Sequence, residues 1–465
     1  MAVDYETYQS PFTWRYGSRE MRLIWSEAHK RRLWRQLWVA LAEVQAEYGL
    51  VTAEQAADLR AHMQEVDIPR ALEIEASIQH DLMAELKVFA EQAALGGGIL
   101  HLGATSMDIE DNADVLRIRQ ALEMVLQKLG KLMEILAERI ETAADLPLIA
   151  FTHLQPAEPS TLGYRLAQFG QDLLLDWEAL GRARRGLRGK GFKGAVGTGA
   201  AYADLLGGSE ILAEFETRLA AKIGLSFFPV TTQVYPRKQD YTVVSALAGL
   251  GGSLYKFAFD LRILQSPLFG ELAEPFGKQQ VGSSAMPFKR NPINAEKIDS
   301  LGRALAQMPR LAWDNAAHSL LERTLDDSAN RRSLLPEAFL ISDELLKVTT
   351  RLLEGLQVHA SAMAQNLADY GPFAGIERVL VALAKAGADR QEMHERLRQH
   401  AMQAWEQVQA GQPGDLAQRV AGDPALRAYL PEEKLAALMD ASHHLGDAPQ
   451  RARLLGQSLR QAISG

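Results

Sequence analysis

Cysteine is missing from all 465 positions of the chain. Its absence removes disulfides, thiolate nucleophiles, cysteine-ligated zinc and iron–sulfur clusters, and it fits a reducing, cytoplasmic setting. The first residues, Met-Ala-Val-Asp-Tyr-Glu, have neither a basic start nor an apolar core, so no secretory signal is expected. Metal-ligand spacing is lacking too. His394, His400 and the pair His443–His444 have no accompanying cysteine or carboxylate pattern, and they read as solvated helix-face histidines. A basic excess is lacking: the net charge is -8, so the surface as a whole is not a nucleic-acid footprint. An anionic ligand has to be caught by a local cluster of cations. A clean membrane span is also absent. The most apolar stretch, Tyr241–Phe259, contains Lys256 and is flanked by Asp240 and Asp260, which favours a buried helix.

What the chain has in quantity is helical periodicity. Val115, Ile118, Leu122, Val125, Leu129, Leu132 and Leu136 step by three and four, a seam that buries itself against other helices. A second seam runs Val244, Leu247, Gly251, Leu254, Ala258, Leu261, with Gly251 and Gly252 inviting close backbone approach. A third runs from Leu335 through Phe339, Leu346 and Leu353 to Leu356. Single cores stop growing at roughly 250–300 residues, so several units are expected. The reading is an all-α fold in three helical domains: residues 1–105, a central long-helix bundle 106–358, and 359–465. Long seams favour a homo-oligomer. In the first domain a helix stops at Gly49, and Thr52-Ala53-Glu54-Gln55 reads as a capping box. In the third, breaks are expected at Gly371-Pro372, Gly411-Gln412-Pro413 and Asp423-Pro424.

Polar clusters interrupt the helices. Gly189-Lys190-Gly191-Phe192-Lys193-Gly194 matches the dinucleotide fingerprint, but a basic helical stretch precedes it where a strand is needed, so a flexible glycine loop is expected. The segment 277–294 carries Ser283, Ser284, Lys289 and Asn291 between helix-breaking Gly282, Pro287 and Pro292. It is either a catalytic lid or a solvated linker. Smaller clusters are His80-Asp81, His101 to Ser106, and Thr152-His153-Leu154-Gln155-Pro156. Glu322 to Arg332 offers three arginines and Ser328, which suits either a charged helix start or a phosphate site.

Taken together these clusters resemble the fumarase/aspartase superfamily, whose signature loop is closely matched by Gly282 to Pro292. Phe151 to Ala157, His101 to Asp114 and above all Glu322 to Arg332 resemble the adenylosuccinate lyase family, in its animal-type branch. The likeness extends from about Ser10 to about Leu356, and more loosely to the C-terminus. It implies a homotetramer with a twenty-helix core, active sites drawn from three subunits, no metal and no organic cofactor. It implies a β-elimination releasing fumarate from a succinylated purine nucleotide. Ser283 is then the base and His153 the acid, with Glu296 hydrogen-bonded to His153, Lys289 supporting the serine alkoxide, and His80 in a supporting role. Thr105, Ser106, Thr152, Gln233, Lys289 and Asn291 match positions that hold the succinyl carboxylates, while Asp81 and Ser284 are counted with the substrate-binding set. Arg15, Tyr16, Arg323, Ser328 and Arg332 match positions for the nucleotide and its phosphate. Gln79 and Lys297 stand where the branch carries arginine, and Gly197-Thr198-Gly199 lacks a glutamine often found after it. Competing readings are a superfamily lyase for argininosuccinate or aspartate, a catalytically silent scaffold, and a nucleotide-binding regulator that leaves its ligand unconsumed.

Overall fold

The computed structural model describes residues 6–277 and 279–465; Lys278, inside the expected loop, lies outside them. The fold is all-α, with two small strand pairs. Five of the long helices run through both parts of the fold: α1 Ser106–Thr142, α2 Leu162–Arg185, α3 Lys238–Leu264, α4 Ile293–Ala317 and α5 Ser328–Glu354. The seams are where periodicity puts them. Every residue of the Val115–Leu136 set is at most 1% exposed, and Val244, Leu247, Leu254, Ala258 and Leu261 are equally buried. Gly251 has its use: a Cβ there would sit 2.9 Å from the Leu305 side chain on α4. Helix α3 has the length and composition of a membrane span, yet its seam is buried in the protein and Asp240 in its first turn binds Arg331.

Contacts group the chain into two compact units, and the five boundaries between them each fall inside one of α1 to α5. The first unit comprises residues 1–129, 176–252 and 301–347. Its N-terminal helix Glu27–Glu47 ends at Tyr48 with Gly49 left-handed, and the Thr52–Gln55 capping box opens Ala53–His62. Buried Glu85 takes Arg31 at 3.0 Å and Arg35 at 2.6 Å, pinning helix Asp81–Gln92, whose N-cap is His80. Removing one partner of such a pair costs about 3–5 kcal/mol.

The second unit comprises residues 130–175, 253–300 and 348–465. It contains a hairpin that the sequence does not announce, β1 Pro147–Thr152 and β2 Gln155–Thr161, with a register shift between Ile149 and Phe151. Ile149 packs with Leu367 and Ala441, and Phe151 meets Phe269 edge-on at 4.8 Å. The expected break at Gly371-Pro372 is not made: helix Ala360–Lys385 runs through Pro372, and Gly371 packs against Ala441. Tertiary packing here outweighs the roughly 3 kcal/mol that an interior proline costs. The turn at Gly411 and the cap at Asp423 do occur. His400 is no solvated histidine, for its Nε2 lies 2.6 Å from buried Asp423, which also accepts from Arg396.

Candidate active site

In the second unit the polar loop folds on itself. The Ser283 hydroxyl oxygen accepts hydrogen bonds from the backbone N–H groups of Met286, at 3.1 Å, and Ala285, at 3.4 Å. Donors aimed at an oxygen favour its anionic form. Lys289 N–H closes a turn on the Met286 carbonyl, and Asn291 Nδ2 donates to the Gly282 carbonyl at 3.1 Å. Gly282 is required there, because a Cβ would stand 2.1 Å from the Lys289 carbonyl oxygen. Ser284 and Lys289 point outward, exposed.

His153 sits at the tip of the β1–β2 hairpin, with Thr152 and Gln155 paired on either side. Both loop residues, His153 and Leu154, have positive φ, 54° and 60°. A two-residue turn of this hand normally recruits Asn-Gly or similar pairs. Holding two bulky residues left-handed stores roughly 1–2 kcal/mol each, and such strain clusters at functional sites. His153, Thr152 and Glu296 are exposed. Glu296, in the first turn of α4, lies 3.9 Å from Arg262; among the described residues the chain does not bring it to His153.

In the first unit, Asp81, Ser328 and Arg332 line one cleft of about 100 Å³, together with Trp34, Lys30 and Glu110. Arg332 reaches Asp81 at 2.8 Å. Burial opposes charge on Asp81, but the guanidinium prevails and holds the carboxyl below its usual range. Glu110 has the opposite fate. Burial first, then the carboxylates of Asp81, Asp114 and Asp111, push it up to about 8. Ser328 opens α5, so helix N–H groups point past it. Of the three arginines in this segment, Arg331 is turned inward onto Asp240 at 2.8 Å and Asp114 at 3.2 Å. Arg323 is held at 2.8 Å by buried Asp327, itself clasped by Arg237 at 2.7 Å. Gln233 N–H donates to the Glu322 carbonyl, tying those two segments together.

Ser106 Oγ and His80 Nε2 stand 3.4 Å apart, and Gln79 before His80 is left-handed at φ 53°. Arg15 is exposed, its guanidinium over the Trp14 ring at 5.6 Å and the half-buried Tyr16 ring at 6.0 Å. Sequence reasoning missed Lys30, Trp34 and Glu110. The one available signal was that Glu110 lies inside the His101 to Asp114 motif, where a further acid among Asp108, Asp111 and Asp114 near a helix start reads as part of a solvated acidic face. Among the described residues no cluster has metal-ligand spacing.

The sequence pattern of the family described as "Lyase" matches residues 13–305, and that described as "Adenylosuccinate lyase C-terminus" matches residues 373–453. The adenylosuccinate lyase of Schistosoma mansoni is 39% identical over 460 residues, covering 97% of this chain and 94% of its own. The chain belongs to the adenylosuccinate lyase family. The Saccharomyces cerevisiae adenylosuccinate lyase is 38% identical over 455 residues, covering 96% of this chain and 94% of its own. Among solved structures, a 3-carboxy-cis,cis-muconate lactonizing enzyme from Pseudomonas putida superposes with a TM-score of 0.85 at 26% identity. The superposition covers 98% of this chain and 100% of that one. A lactonizing enzyme on the same scaffold means that the fold alone does not choose the reaction. The protein is an enzyme, a lyase.

Proposed function

We propose that the protein eliminates fumarate from adenylosuccinate, leaving AMP, and treats the succinyl-aminoimidazole-carboxamide ribotide of purine synthesis in the same way. The observation that carries the chemistry is the Ser283 hydroxyl held by two backbone N–H donors in a loop that matches the superfamily signature. As alkoxide, Ser283 takes the proton from the carbon beside a substrate carboxylate. The electron pair moves into that carboxylate, which Thr105, Ser106, Thr152, Gln233, Ser284, Lys289 and Asn291 hold. The C–N bond then breaks, and the nitrogen takes a proton from His153, so one proton is gained by the enzyme and one is given up. Fixed donors stabilise such charge best when water is excluded. Lys289 adds a positive charge beside the alkoxide, and Glu296 fixes the His153 tautomer.

Arg323, Ser328 and Arg332, with Arg15, Tyr16 and Asp81, bind the nucleotide and phosphate. The cleft that Asp81 shares with Ser328 and Arg332 supports this, since a phosphate replaces Asp81 on Arg332 with two charges for one. His80, at the N-terminus of its helix, assists at the phosphate or leaving group. The active form is a cytoplasmic homotetramer of three-domain chains with sites shared between subunits. Exposed Leu175, Phe259, Leu311 and Trp313 on long helices support helix pairing between copies.

Fumarate release from adenylosuccinate, followed by NMR, tests the reading. Release that stops in Ser283→Ala while substrate still binds is expected. Full activity in that variant overturns the base assignment. Mixing inactive His80→Ala with inactive Ser283→Ala should restore some turnover; a fully active monomer rules out shared sites.

A further inference from the structure

The glycine loop from 189 to 194 is neither flexible nor a nucleotide cradle. Its anion is a side chain of this protein. Asp108, in the first turn of α1, is fully buried. One of its oxygens accepts from Lys193 N–H at 3.2 Å and Gly194 N–H at 3.3 Å. The other accepts from Gly194 N–H at 3.1 Å and the Tyr202 hydroxyl at 3.4 Å. The Lys190 ammonium, itself completely buried, pairs with the same carboxylate and donates onward to the Gly194 carbonyl at 3.1 Å. Asn112, one turn further along α1, exchanges hydrogen bonds with both the N–H and the C=O of Gly191. Gly189 must be glycine, because a Cβ would meet Asn112 Oδ1 at 2.3 Å. Successive N–H groups that converge in this way form an anion-binding nest.

The carboxylate has one further contact, and it leads to the active site. Asp108 Oδ2 accepts from the backbone N–H of Thr105 at 3.1 Å, fixing the turn that carries Thr105 and Ser106. The other end of that turn is fixed as well. His101 is left-handed at φ 67°, and its Nδ1 accepts from the Trp38 indole at 3.0 Å. Burial pushes the His101 imidazole down, in the direction that favours the neutral ring accepting from the indole. A carboxylate directly behind a carboxylate-binding turn would repel the ligand unless its charge were cancelled. Lys190 and the surrounding donors cancel it.

We infer that Asp108 and Lys190 are positioning residues. The glycine–lysine strap neutralises Asp108 and thereby holds Thr105 and Ser106 in place for the substrate's succinyl carboxylate. The inference rests on the proposed function only in taking a dicarboxylate as the group that meets Thr105 and Ser106. It adds that fit at the dicarboxylate end is set through residues that never touch the substrate.

The test uses Asp108→Asn, Lys190→Met and the double variant Asp108→Asn/Lys190→Met, assayed as the full-length protein. The double variant removes both charges at once and avoids burying a lone ion, so it should fold even where a single variant does not. Inhibition by fumarate reads the dicarboxylate end, and inhibition by AMP reads the nucleotide end. One lost charge-assisted contact corresponds to about tenfold in affinity. The expected result is that each folded single variant raises KM and weakens fumarate inhibition about tenfold, leaves AMP inhibition within about twofold, and is partly rescued in the double variant. Unchanged fumarate inhibition in the folded double and single variants overturns the inference. Equal weakening of fumarate and AMP overturns it too, because that marks a general loss of structure. If the unsubstituted protein releases no fumarate from adenylosuccinate, the proposed function fails instead. The inference is then judged on fumarate binding by NMR, where unaltered binding in the variants overturns it.

Discussion

Replacing Glu110 by Gln should remove a pH-dependent weakness built into the first unit. Glu110 shares its cleft with Asp81, Asp114, Arg331 and Arg332, with Glu27 and Lys30 from the N-terminal helix, and with Arg117 from its own helix. Its carboxyl is raised from the usual 4.5 to about 8. The folded protein therefore holds a proton that the unfolded chain has released, throughout the window between those values. Stability falls as pH rises through that window. Below about 4.5 both states are protonated and nothing is lost; above about 8 both are ionised and the loss is complete. A displacement of about 3.5 units, at about 1.36 kcal/mol per unit, sets a ceiling near 5 kcal/mol. Glu110 keeps some solvent contact, which reduces the effect to about 1–3 kcal/mol. The assay is urea unfolding of the protein and of Glu110→Gln at pH 5 and pH 8.5, at one protein concentration. Gln cannot ionise, so the variant should gain about 1–3 kcal/mol on the parent between the two conditions. Parallel pH dependence in the two proteins would refute the reasoning.

Gly282→Ala places a methyl against the Lys289 carbonyl, displacing Ser283 and lowering kcat about 100-fold with little change in urea midpoint; retained kcat would mean that the loop closes differently during turnover. Leu154→Asn relieves a left-handed leucine, because Asn tolerates that conformation, and should raise stability by about 0.5–1 kcal/mol without loss of turnover. A drop in calorimetric stability would assign the exposed Leu154 side chain a packing role. Asp423→Asn should cost about 1–3 kcal/mol, read by urea unfolding, through lost contacts with Arg396 and His400. Burial opposes charge on Asp423, but Arg396 and His400 outweigh it and hold the carboxyl far below its usual value. Its contribution is therefore present above the ordinary carboxylate range and is lost only in strong acid.

Much of this was written locally. The three seams follow from apolar spacing, which is a property of neighbouring residues, and they are buried where that spacing predicts. The Thr52–Gln55 cap needs only four consecutive residues. The Ser283 loop is marked by its own glycine and prolines, and the family likeness supplies its meaning. What escaped depends on partners remote in sequence or on conformations that composition does not suggest. His153-Leu154 has no glycine or asparagine to signal a hairpin turn. Pro372 normally ends a helix, and only packing around Gly371 against Ala441 shows why it does not. The glycine loop's partner, Asp108, lies about eighty residues upstream, and nothing in the loop's own letters names it. The inward turn of Arg331 likewise depends on Asp240, on another helix.

The strap around Asp108 is, in effect, a receptor tethered to its own ligand. A tether supplies the carboxylate at an effective concentration that free anions in solution do not match. Phosphates and nucleotides passing the Gly-x-Gly-x-x-Gly segment therefore find the seat taken, whatever the motif's letters promise. The corollary is chemical complementation: in an Asp108→Gly variant, formate or acetate added at high concentration is expected to take the vacated place beside Lys190. Added formate that restored fumarate sensitivity would turn a hidden structural carboxylate into an external, titratable control on the enzyme.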